Sequence, residues 1–201
     1  HLALHRDVNL LLVDASAPED LHALLPAGRL REPLSAAARA TLVCLTLVDQ
    51  ARMDLAVAEI VKGLGLTAPP IRLRFTPDTL VDVAGGAEQA LARVKGQAVF
   101  LFSGIGNGGS FSATMAGLGA IVAGELRFPD HHTYRSGDLE RIREQAKRCG
   151  AQFLVTTEKD AGKVAPLLTP GDRVLALRLE MEILEGRERV EQLVFEGVGV
   201  A

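Results

Sequence analysis

Apolar residues along the chain fall in short dense runs separated by amphipathic stretches, the pattern of strands alternating with helices. Val8 to Asp14 (VNLLLVD) is apolar almost throughout and ends on an acid, which predicts a strand buried on both faces of a parallel sheet, with Asp14 at its carboxyl end. Thr41 to Val48 (TLVCLTLV) predicts a second such strand, and Asp49 is placed to cap the helix that follows. Met53, Val57, Ile60, Val61 and Leu64 share one face of that helix, and Gly63 and Gly65 end it. Ile71 to Val83 alternates less cleanly around Pro77 and reads as an edge strand or a connection. Gly85-Gly86 and the amphipathic piece Ala87 to Val94 read as a linker.

A second α/β unit opens with a strand over Ala98 to Phe102, a glycine-rich turn and a helix over Phe111 to Leu118. Ile121 to Leu126 predicts the next strand. A helix starting at Ser136 buries Leu139, Ile142, Ala146 and Cys149 and stops at Gly150. Phe153 to Thr156 is a short strand, Thr157 with Asp160 resembles a helix-capping box, Val174 to Leu184 is a last strand and Glu185 to Val194 a last helix. The expected division is therefore residues 1–84, a linker over 85–97, and residues 98–201.

Composition narrows the function classes. Of 201 residues 48% are hydrophobic, ample for a core, and a formal net charge of -3 marks no overall nucleic-acid or anionic-membrane binder. No apolar run reaches the roughly 20 residues of a membrane-spanning helix, and no signal-peptide pattern is visible. Cys44 and Cys149 have no partner at metal or redox spacing and read as reduced and structural, as suits a cytosolic compartment. The chain begins at His1 and reaches a strand within seven residues, so it is expected to be a piece of something longer.

Candidate chemistry lies in four places. Leu24 to Leu34 (LLPAGRLREPL) packs Arg29, Arg31 and Glu32 into a proline- and glycine-rich loop; arginines can clamp phosphate oxygens bidentately while a carboxylate holds an arginine or a metal ion, and a surface ion-pair loop has the same composition. Phe128 to Tyr134 (FPDHHTY) and Thr156 to Asp160 (TTEKD) each stand where a strand gives way to a helix, the edge of an open α/β sheet that faces ligands. A solvated turn would explain the first of these. A helix cap would explain Thr157 and Asp160 but leaves Lys159, which opposes the helix dipole and so is either neutral there or serves a charge outside the helix. Gly104, Gly106 and Gly109 also satisfy G-x-G-x-x-G between strand and helix, with Glu125 downstream. That reads either as a Rossmann-type site for a nicotinamide dinucleotide or as a tight turn that lets strand and helix pack closely.

Taken together and in order, the loop Leu24 to Leu34, Gly104-Ile105-Gly106-Asn107, Phe128 to Tyr134 and Thr156 to Ala161 resemble the motifs of the tetraacyldisaccharide 4'-kinase family, the lipid A kinases. His1 to Asp14, with Arg6-Asp7, resembles the stretch after that family's Asp-Asp-Gly-Phe-Gln-His motif, His1 being its last residue. The resemblance covers essentially the whole chain. It implies a P-loop NTPase-like parallel sheet remnant followed by a second, Rossmann-like α/β unit. It also implies transfer of the ATP γ-phosphate, with Mg²⁺, to the 4'-hydroxyl of an acylated glucosamine disaccharide 1-phosphate, giving lipid IVA at the cytoplasmic face of a bacterial inner membrane.

By the same resemblance His131 helps take the hydroxyl proton with a carboxylate from the part that is not in this chain. Arg29, Arg31 and Glu32 line a cleft for phosphate and metal, with His1 and Asp130 as further candidates. His132, Glu158, Lys159 and Asp160 support His131. The partners implied are that lipid precursor and, through the absent amino-terminal part, a membrane surface; no nucleic acid is expected. The sequence departs from the family in having no G-x-x-x-x-G-K-[ST] phosphate loop, in Gly108 after Gly-Asn where proline is usual, and in Gly162 where valine is common. The chain is thus expected to be the carboxyl-terminal two-thirds of such a kinase and inactive alone.

Overall fold

The structure is a computed structural model that describes residues 7–46, 53–66 and 68–197. Two compact units appear, one formed by residues 1–76 with 181–201 and the other by residues 77–180. His1 and Asp49 lie outside the described residues.

In the first unit β1 (Leu10–Asp14) and β2 (Leu42–Thr46) pair in parallel from Leu10 opposite Leu42 to Asp14 opposite Thr46. β2 is buried on both faces, because Val43 and Leu45 face Val13 and Ile60 while Cys44 packs with Ile71 and Leu73. β1 departs from expectation. Leu11 and Val13 turn into the core, but Leu10 and Leu12 are exposed, so its unbroken apolar run is covered on one face only among the described residues. The helix α1 (Met53–Leu64) supplies Ile60, Val61 and Leu64 to the core and ends at Gly65, whose φ of 60° is the left-handed conformation that glycine adopts without strain.

β3 (Ile71–Asp82) is a full strand despite Pro77, not an edge, since it pairs with β2, with β4 (Glu88–Gln89) and with β8 (Val174–Glu185). Its Arg72 meets Glu185 at 3.3 Å and Arg74 meets Glu182 at 2.5 Å, pairs that run in opposite order along the two strands. Beyond Glu180 the chain belongs to the first unit again: Ile183 of β8 and Val190 of α5 (Arg187–Gly197) pack on Cys44, Ile71 and Leu73. The compact units therefore have other limits than the pattern suggests, because two long strands each contribute to both. Residues 85–97 are also more than a spacer. They contain β4 and a short 3-10 turn whose Val94 is fully buried in the second unit's core.

The second unit is built on parallel strands in the order β8, β7 (Phe153–Thr157), β5 (Ala98–Ser103), β6 (Ile121–Arg127). Between them run α2 (Gly108–Gly117), α3 (Ser136–Arg148) and α4 (Glu158–Val164). One face of the sheet carries Leu101, Val155 and Leu175 with Phe111 and Met115 of α2; the other carries Phe100, Phe102 and Leu154 with Leu139, Ile142 and Ala146 of α3. Cys149, expected in that stripe, is exposed. β6 pairs with β5 through a bulge: Val99 opposes Val122 but Phe100 opposes Gly124, which explains how a strand tolerates a glycine there. The connection from β5 goes to β6 on one side, and that from β7 to β8 on the other. The carboxyl ends of β5 and β7 thus flank the point where the winding reverses, the usual place for a ligand crevice in an open parallel sheet.

Candidate functional site

At that reversal the end of β5 becomes Gly104, and the loop after β6 folds onto it. Phe128 donates its N–H to the Ser103 carbonyl at 2.9 Å, continuing the β5–β6 pairing, and His131 donates its N–H to the Gly104 carbonyl at 3.2 Å. Pro129 to His132 form a turn closed by the His132 N–H on the Pro129 carbonyl at 3.1 Å. His131 occupies its third position with φ 59°, a left-handed conformation in which His is more common than most residues. A Cβ on Gly104 would stand 3.1 Å from the His132 Cβ and 3.3 Å from the Pro129 carbonyl oxygen, so glycine permits the close approach of this loop.

The two histidines have different surroundings. His132 stacks on Phe128 with ring centroids 4.4 Å apart, meets Tyr134 edge-on at 5.0 Å, and holds its Nε2 3.1 Å from Asp138 Oδ2. Its ring is fixed by packing on three sides. The His131 ring is 77% exposed, with Nε2 3.6 Å from Asp130 Oδ2, beyond hydrogen-bond length. It faces solvent beside a carboxylate.

Asp130 is itself anchored. Its Oδ1 accepts from Lys159 Nζ at 3.0 Å and from the His131 backbone N–H at 3.0 Å. The Lys159 hydrogen bond, with the nearby His131 and Lys159 charges and against the cost of desolvation, holds the carboxyl below the usual carboxylate range. Lys159, out of place by the helix-dipole argument, therefore serves a charge on another loop.

The run after β7 distributes its charges among separate partners. Glu158 binds Arg178, which also binds Glu88, and so takes no part in the histidine loop. Asp160 is fully buried: Oδ2 accepts the Gly104 N–H at 2.8 Å and the Thr157 hydroxyl at 3.1 Å, and Oδ1 takes Lys163 Nζ at 2.9 Å. The Thr157 hydroxyl oxygen also accepts the Asp160 N–H at 3.3 Å, so half of the expected capping box is present and the carboxylate is turned to another loop instead. Burial pushes the Tyr134 hydroxyl well above its ordinary pKa, and the Asp160 charge adds to this. The Tyr134 hydroxyl is buried without a hydrogen-bond partner of normal geometry among the described residues.

In the first unit the candidate loop closes through the Leu25 N–H on the Leu30 carbonyl at 2.8 Å and the Leu30 N–H on the Ala23 carbonyl at 3.1 Å. Gly28 sits where a Cβ would lie 2.3 Å from the Ala23 carbonyl oxygen, which forbids any side chain. Arg29 pairs with Asp20 at 3.1 Å and Glu32 with Arg39, while Arg31 is exposed with no ion-pair partner among the described residues. No cluster of three metal-ligating side chains occurs among the described residues. Glu32 is a single, half-exposed carboxylate, a donor set that fits a Mg²⁺ ion held mainly by phosphate and water oxygens and not one caged by protein.

Asp138 and Phe128, which fix the second histidine, are not legible as partners in sequence, although Asp138 has the placement of a helix first-turn acid. The glycine-rich turn resolves in favour of packing at Gly104, whose N–H and carbonyl are both engaged by protein groups. Glu125, the expected ribose acid of the dinucleotide reading, pairs with Arg127 at 2.5 Å. No helix among the described residues is long and apolar enough to cross a membrane.

Residues 1–196 match a family profile described as tetraacyldisaccharide-1-P 4'-kinase. Among curated relatives, a tetraacyldisaccharide 4'-kinase of Anaeromyxobacter sp. (strain Fw109-5) is 39% identical over 197 residues, covering 96% of this chain and 52% of its own length. That of Syntrophus aciditrophicus is 34% identical, covering 98% and 54%. Among solved structures, the crystal structure of LpxK from Aquifex aeolicus in complex with ATP superposes with a TM-score of 0.63 at 28% identity, covering 96% of this chain and 53% of that one. The chain spans about half the length of the curated relatives it matches.

Proposed function

The chain belongs to the tetraacyldisaccharide 4'-kinase family, and on that premise we propose that it forms the part of a lipid A 4'-kinase that receives the proton of the acceptor hydroxyl. In the reaction the 4'-oxygen of an acylated glucosamine disaccharide 1-phosphate forms a bond to the γ-phosphorus of ATP. The bond from that phosphorus to the β,γ-bridging oxygen breaks, ADP leaves with the electron pair, and the hydroxyl proton passes to the protein. Phosphoryl transfer asks a protein mainly for positioning and charge stabilisation, with a group to hold that proton.

The observation that carries the reading is the contrast between the paired histidines. His132 is packed and tied to Asp138, whereas His131 presents an open imidazole at the ligand-facing end of the sheet, beside an Asp130 kept ionised by Lys159. Imidazole is a side chain suited by its chemistry to accepting a proton, and the Asp130 carboxylate stands beside this one. We assign the proton to His131, acting with a carboxylate from the remainder of the family's length. Arg31, with Arg29 once released from Asp20, is assigned to phosphate oxygens, and His1 to the same function. Glu32 would hold Mg²⁺, which supplies charge neutralisation on the phosphates. The complete protein is placed at the cytoplasmic face of the inner membrane, and the 201 residues alone are expected not to turn over.

The test is His131→Ala in a complete 4'-kinase containing this sequence. A loss of kcat of about 10²-fold or more is expected, with ATP binding nearly unchanged. An unaltered kcat would remove His131 from catalysis.

A further inference from the structure

We propose that Asp160 is a positioning residue for the imidazole of His131, acting through the backbone of Gly104. The inference rests on the assignment of His131 above for its catalytic consequence, but its geometry stands independently.

A carboxylate with no exposed surface is costly to bury unless its oxygens are fully engaged. Capping α4 does not require this one, because the Thr157 hydroxyl already receives the Asp160 N–H. Instead Oδ2 reaches across to the N–H of Gly104, 56 residues away in sequence, at 2.8 Å. A charged acceptor makes such a bond about twice as strong as a neutral one.

The same peptide segment then fixes the histidine. Its Gly104 carbonyl receives the His131 N–H, and the loop lies so close that a Cβ on Gly104 would stand 3.1 Å from the His132 Cβ. His131 holds a left-handed φ of 59°, a conformation that is unfavourable for a non-glycine residue and persists only where surrounding contacts determine it. The Gly104 carbonyl and Asp130 Oδ1 are the two acceptors that do so. Asp160 thus sets the height of Gly104, and Gly104 sets the turn that aims the ring.

Asp160→Asn tests this. The side-chain oxygen can still face Gly104, but the amide NH₂ then confronts the Lys163 ammonium, and the charge on the acceptor is gone. In NMR spectra of this chain, the variant should shift the Gly104 amide proton upfield and displace both the amide and imidazole signals of His131, while His22 in the other unit stays unmoved. In the complete kinase kcat should fall about 10- to 100-fold with KM for ATP within about twofold, the mark of a misplaced reacting group. Asp160→Glu, which restores the charge one methylene out of place, should recover part of the Gly104 shift.

Should Asp160→Asn fail to fold, Thr157→Val, which leaves the Asp160 charge in place and removes the hydroxyl that donates to it and accepts the Asp160 N–H, should move the same signals in the same direction by less. Unmoved His131 signals in a folded variant, or a lowered melting temperature with kcat intact, would overturn the proposal. If His131 signals move as expected but His131→Ala leaves kcat intact, the positioning holds and the catalytic assignment alone fails.

Discussion

Nε2 of His132 lies 3.1 Å from Oδ2 of Asp138, and that same oxygen accepts the Arg135 N–H at 2.9 Å where α3 begins. One carboxylate therefore closes the amino terminus of a helix and holds the ring beside the candidate base. The pair makes the histidine loop and α3 a single mechanical piece.

Asp138→Ala should cost about 1–2 kcal/mol, the usual loss of a helix-start acceptor, read as a lower melting temperature. Burial pushes the Asp138 carboxyl up, but the Arg135 N–H and then His132 together outweigh it, so its pKa is lowered. A carboxyl with a depressed folded pKa contributes stability above its unfolded value and loses it as pH falls through the folded one. The difference in stability between wild type and Asp138→Asn should accordingly shrink on acidification; a constant difference would contradict the linkage.

Lys159→Met should raise the Asp130 carboxyl towards its ordinary pKa, since the Lys159 hydrogen bond is the largest cause of its depression. A carboxyl-detected NMR titration reads this directly. No upward movement would mean that the lysine does not serve Asp130 in solution.

Arg143 grips Asp172 with Nε at 2.8 Å and Nη2 at 2.7 Å, and Asp172 also accepts the Thr169 N–H at 2.7 Å. The arginine's hydrogen bonds lead in depressing the Asp172 carboxyl to about 2, against burial. The stability it contributes should be present above about pH 4 and lost towards pH 2. Asp172→Ala should cost about 2 kcal/mol at neutral pH, measured by denaturant unfolding, and much less near pH 2.

Gly124→Ala places a Cβ 2.9 Å from Phe100 Cε2 and 3.6 Å from Cys149 Sγ, inside a packed face. Overpacking of this kind should destabilise the protein by about 1–3 kcal/mol. A variant as stable as wild type would show that the bulge in β6 relaxes freely.

Much of the framework was legible from the chain itself. The apolar runs located β5, β6, β7 and β8, and the periodicity of Leu139, Ile142 and Ala146 fixed the buried side of α3, because burial demands apolar surface at fixed spacing whatever the neighbours are. Two strands were misread for physical reasons. Leu10 and Leu12 look as buried as Leu11 and Val13, since an apolar run does not record which face is covered. Pro77 argued against a full strand that β3 nonetheless forms, its pairing with three neighbours supplying the stability that local propensity withholds.

The candidate site divides in the same way. Sequence determined that two histidines and a Glu-Lys-Asp run stand at strand ends, and that Lys159 opposes the dipole of its own helix, either neutrally or in the service of a charge outside it. Only the tertiary structure decided that this charge is Asp130, that Asp160 reaches the backbone of Gly104, and that His132 is locked while His131 is open. Side-chain type and spacing are properties of the chain. Which carboxylate Lys159 reaches and which peptide Asp160 reaches depend on groups 29 and 56 residues away, and those meet only when the sheet has formed.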